Sequence, residues 1–106
     1  MGIEFVRPWA PVSEGKVAVA LQRRLEFEVT PPHPLWGRQA RVIGRSDAND
    51  DVVVAMPDGG FAIVHLVWGA SPGDVRWPAT SFFSSAEEIS RAMAEWSREA
   101  GYLDEK

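Results

Sequence analysis

Cysteine is absent from the chain, which removes disulfide staples, thiolate nucleophiles and cysteine-based zinc sites. Histidine is scarce: His33 and His65 are the two in the sequence, and neither has the His-x-x-x-His or Glu-x-x-His spacing that sets two ligands on one helix face. The acidic run from Asp47 has Val52 and Asp58 where a calcium loop needs glycine and glutamate. No metal and no cofactor are expected. The glycines of "GGF" and "SPGD" form neither a phosphate-cradling loop nor a dinucleotide fingerprint. No apolar run approaches membrane-spanning length. The opening "MGIEFVRPWAPVSEGK" lacks the charged and apolar regions of a signal peptide, and Val6 stands where a myristoylation signal needs Ser or Thr. A cytoplasmic protein with no membrane role is the expectation. Positive charge is also short. Eleven Lys and Arg face fifteen Asp and Glu, for a net charge of -4, so the concentrated basic face of a nucleic-acid binder is missing.

What remains is an ordinary globular composition. Apolar residues make up 45% of 106 and charged residues 25%, enough for one domain over 1–106 with its own core. Residues 1–12 read as an arm. Residues 13–29 read as a helix, with Val17, Leu21 and Leu25 at i, i+4, i+8, Ser13 as N-cap and Glu14 near the dipole. Pro31, Pro32 and Pro34 end it. A three-stranded meander follows over 39–68, its second and third strands joined at "PDGG". Residues 69–83 read as a Gly/Pro loop. Residues 85–100 read as a helix, opened by Ser84-x-x-Glu87 or Ser85-x-x-Glu88, striped by Ile89, Met93, Trp96 and Ala100, and stopped by Gly101. The expected fold class is α+β, order α-β-β-β-α, an antiparallel sheet that the arm can extend. The central hairpin is apolar on both faces, so both need cover, from the helices, the arm or a second chain.

The same hairpin carries the candidate chemistry. Pairing Met56 with Phe61 sets Val52 opposite His65 and Asp50 diagonal to it, about 7–8 Å away. A four-residue "SDAN" connection then sets Arg45 opposite Asp50. The expected cluster is His65, Asp50 and Arg45, suited to orienting an imidazole as a base or anion site, or to a self-satisfying polar network that fixes register. No activated nucleophile accompanies it, so the catalytic checklist is incomplete. Trp9, Trp36, Trp68 and Trp77 stand beside Gly or Pro in loops or at strand ends, where flat side chains with few rotors anchor binding surfaces or staple loops down.

"HPLWG" (33–37), "ARVIGRSDANDDVVVAMPDGGFAIVHLVW" (40–68) and "WPATSFFSS" (77–85) resemble a family of small uncharacterised bacterial proteins with HPL-aromatic-Gly, Asp-Asp-Val-Leu, Val-Val-His-Leu-Thr-Trp and Trp-Pro segments. The resemblance covers the C-terminal three quarters. It singles out His33, Gly37, Asp50, Asp51, His65, Trp68, Trp77 and Pro78, and it implies no activity. Val67 stands where the family commonly has Thr.

The reading favoured by these features is a small protein-interaction module of accessory or immunity type. Its binding residues are Trp36, Trp68, Trp77, His33 and Asp51, and its partner is another protein or a second copy of itself. The alternative is a ligand-binding or hydrolytic protein centred on His65, Asp50 and Arg45. Nucleic-acid binding through Arg38, Arg41 and Arg45 with Trp36 as a stacking surface ranks below both.

Overall fold

The computed structural model describes residues 2–12, 15–31, 33–68 and 78–102. The elements are β1 (Trp9–Pro11), α1 (Lys16–Glu28), β2 (Arg41–Ser46), β3 (Asp51–Ala55), β4 (Phe61–His65), β5 (Ala79–Phe83) and α2 (Ala86–Glu99). The strands form one antiparallel sheet in the order β1-β2-β3-β4-β5.

The class is α+β, and the sheet has five strands where three were expected. The first extra strand comes from the arm. It is three residues long, with Pro11 at its end, and proline suits an edge strand because it has no N–H to give the ladder. The second comes from the segment read as loop: "ATSFF" is rich in β-branched and aromatic residues, but the Gly/Pro-rich stretch before it masks so short a strand.

Helix α1 starts later than the sequence suggested, with Gly15 at the N-cap; Ser13 and Glu14 lie outside the described residues. Its buried side carries Leu21, Leu25 and Glu28, while Val17 is 48% exposed, so the inward stripe begins a turn after the expected Val17. Ser85, not Ser84, caps α2. Its hydroxyl accepts from Glu88 N–H, and the Glu88 carboxylate accepts from Ser84 N–H at 2.6 Å. Ile89 and Met93 of α2 are fully buried, Trp96 is half-buried, and Ala100 is exposed.

The two helices take opposite faces of the sheet. Under α1, the core packs Leu21, Leu25 and Leu35 on Val52, Val54 and Val64. Under α2, Ile89 and Met93 meet Val53 and Trp9, with Ile3, Phe5 and Val6 of the arm alongside. Both faces of the apolar hairpin are thereby covered. Among the described residues, no helix is long and apolar enough to cross a membrane.

Two local irregularities set the register. At the β3–β4 turn, Gly59 N–H reaches Met56 O, Met56 N–H reaches Gly60 O, and Gly59 takes φ +97°. This is a three-residue loop with a glycine bulge rather than the two-residue turn expected at Asp58-Gly59, so Ala55, not Met56, pairs with Phe61. In β2, Val42 pairs with Val54 and Gly44 with Val53, which leaves Ile43 as an extra residue. Glycine at position 44 leaves room for the Phe5 ring, which a Cβ there would force to shift.

Candidate functional site

The turn geometry decides what faces His65. With the register moved by one residue, Asp51 stands opposite His65, and its Oδ1 lies 2.7 Å from Nδ1. Asp50, the expected partner, falls on the other side of the pleat, because side chains alternate every residue. Arg45 is displaced independently. The bulge at Ile43 reverses the alternation, so Arg45 pairs with Val52 on the α1 side, and its guanidinium goes to Asp47 at 2.9 Å. The expected three-residue cluster does not form: a His65–Asp51 pair stands on one face, Arg45 with Asp47 on the other.

The pair lies at the open end of its sheet face. The His65 side chain is 48% exposed and that of Asp51 15%. A carboxylate on Nδ1 holds the proton there and leaves Nε2 as the basic nitrogen. Among the described residues, Nε2 has no hydrogen-bond partner and no hydroxyl or second carboxylate is bonded to the ring, nor does any group of three His, Asp or Glu side chains come together as a metal set.

His33 is a different kind of histidine. It is 4% exposed; Nδ1 accepts from Leu35 N–H at 3.0 Å, and Nε2 lies 2.9 Å from Pro78 O. The first bond places the proton on Nε2, which donates to the Pro78 carbonyl. Both nitrogens are occupied, so His33 ties the segment after α1 to the start of β5 and is not available to a ligand.

The tryptophans divide. Trp9 is buried and meets Trp96 edge-on at 5.7 Å between centroids. Trp36 and Trp68 are 55% and 48% exposed, and Trp77 lies outside the described residues. Trp68 belongs to a group that the sequence reading missed. Arg24 stacks on both Phe27 (4.8 Å) and Trp68 (5.1 Å) and donates to the Trp68 carbonyl. Glu28, 6% exposed, takes Arg24 Nε at 2.5 Å and Val67 N–H at 2.8 Å. A buried carboxylate thus fixes the arginine, and the arginine fixes the indole. One signal was present: Phe27 is an aromatic residue lying off the inward stripe of its helix, three residues after Arg24, a spacing that puts the two on neighbouring positions of the helix surface.

The exposed apolar side chains are unevenly distributed. Among the described residues the large ones are Val17, Val19, Phe27, Trp36, Trp68 and Phe82, with Tyr102. Phe82 is cross-strand from Ala62, which faces the α1 core, and Arg38 stacks on its ring at 5.4 Å. Trp36 borders a cleft beside Glu26 and Val29. Six of the seven therefore belong to α1 or its side of the sheet. Tyr102 alone belongs to the other, where it stacks on Trp96. A groove of about 1150 Å³ runs between the arm and α2, and neither histidine lines it. At its helix end Ser85 and Glu88 already satisfy backbone amides.

No protein-family model, no curated protein and no solved structure matches the chain.

Proposed function

We propose that the protein is a small interaction module that docks another protein through its α1 side. The observation that carries this reading is the asymmetry just described. Phe27, Trp36, Trp68 and Phe82 stay exposed on one side, although the chain buries Trp9 on the other. Aromatic residues held on a rigid frame at the surface are the usual anchors of protein interfaces, and apolar side chains gathered on one side mark such sites. Arg24 adds a side chain type enriched at those anchors, already ordered by Glu28. An accessory or immunity-type role, acting by occupying a partner, agrees with this surface. The test is capture of partners by tagged protein from a native-host lysate, with the double variant Phe27→Asp, Trp68→Ala run beside the wild type. One stoichiometric partner, lost in a double variant that keeps its melting temperature, supports the reading. Retention by the folded variant overturns it.

A second reading rests on the His65–Asp51 pair, whose exposed basic nitrogen suits a proton-transfer role on a small ligand. His65→Gln abolishes any turnover or binding that depends on it. An activity that survives the change with the same pH profile removes this reading.

A further inference from the structure

The β2–β3 connection and the end of β4 enclose a cleft of about 430 Å³. This lies near the lower end of small-ligand pockets and matches a side chain better than a whole helix. Leu21, Val52 and Leu66 are among its lining residues, with Trp68 beside them and Asp47, Asn49, Asp50 and Asp51 along the connection. One arginine, Arg45, offsets three aspartates here, in a chain already at -4. Asp47 is taken by Arg45 and Asp51 by His65. Asp50, exposed, is the remaining carboxylate, with no partner among the described residues. The indole of Trp68 already holds one guanidinium, that of Arg24, and stays 48% exposed.

We infer that this cleft receives an arginine side chain projected by a basic segment of the docked protein. The inference rests on the docking face proposed above, of which Trp68 is a part. The methylene stem lies along the partly exposed Leu21, as long cationic side chains do on apolar surface. The guanidinium meets the Trp68 ring and the Asp50 carboxylate, an aromatic face and a planar acceptor that arginine satisfies together and lysine does not. A neutral segment leaves Asp50 unpaired, and an acidic one adds like-charge repulsion.

The test uses the full chain, isotopically labelled, titrated with the blocked peptide Gly-Ser-Leu-Arg-Leu-Ser-Gly and with the same peptide carrying citrulline for arginine, followed by amide NMR shifts. The expected result is shifts on Asp50, Val52, Leu66 and Trp68, with binding weakened about tenfold by citrulline or by Asp50→Asn. Absence of shifts at those amides overturns the assignment. So do equal shifts with the citrulline peptide. Either result stands apart from whether Phe27→Asp with Trp68→Ala releases a captured partner, so the cleft and the docking face fail separately.

Discussion

His33 and His65 are the same residue type put to opposite uses, and substitution separates them. Replacing His33 with Ala strands Leu35 N–H and leaves the Pro78 carbonyl with the Thr80 hydroxyl alone, in a site 4% exposed, and the expected loss is about 2–4 kcal/mol of unfolding free energy. His65→Gln removes a half-exposed pair and costs less than about 1 kcal/mol. Urea titrations of the two variants give the comparison directly. Asp58 supplies a pH signal. The Gly60 N–H, then the Arg38 guanidinium, hold its carboxyl below its ordinary value of 3.8. A carboxylate whose folded value is depressed contributes stability that is complete above its unfolded value and lost as pH falls through the folded one. Stability is therefore expected to decline below about pH 4, and Asp58→Asn to flatten that part of the pH–stability curve. In sequence, His65 and an aspartate partner were legible; which aspartate was not. The choice between Asp50 and Asp51 turns on whether "PDGG" forms a regular two-residue turn or a three-residue loop with a bulge at Gly59, and its residues are compatible with both.

At the scale of elements, the helix ends follow from the residues that occupy them. Gly101 sits at φ +90°, its N–H reaches Arg98 O, and Tyr102 N–H reaches Ser97 O. These are the paired bonds of a glycine-terminated helix, with Tyr102 stacked on Trp96 as its apolar contact. Gly101→Ala is expected to lower stability by about 1 kcal/mol, read as an earlier loss of α2 ellipticity on heating, with the sheet intact until the main transition. The bulge at Ile43 governs the other face. Deleting Ile43 restores simple alternation through β2 with Gly44 still opposite Val53 and Arg45 still opposite Val52, and it removes the Ile43 side chain from the α2-side core. The expected outcome is a chain with altered β2 amide shifts and a marked loss of stability. That bulge was not legible, because "RVIGR" reads equally as a regular strand and the reason for Gly44 is a long-range contact with Phe5. Strand β5 was missed because a strand of five residues after a Gly/Pro-rich stretch carries too few alternations to stand out. The two helices and the central hairpin were legible from periodicity, capping residues and turn chemistry.

At the scale of the whole molecule, the chain builds a two-sided sheet and closes one side more fully than the other. The arm, α2, Trp9 and Trp96 cover the first side. On the second, α1 buries Leu25 and Glu28 but turns Val19 and Phe27 outward. The sequence indicated that both hairpin faces needed cover, and that loop tryptophans stood ready either to bind or to staple. Which role each takes depends on tertiary position: Trp9 packs into the core, while Trp36 and Trp68 remain at the surface. The exposed side is the docking surface proposed for this protein. The most direct measurement is radical footprinting of the protein free and in complex with its captured partner, read residue by residue at the exposed aromatics. The account predicts that labelling of Phe27, Trp36 and Trp68 falls in the complex while that of Tyr102 is unchanged. Protection of Tyr102 with continued labelling of Phe27 and Trp68 would contradict it.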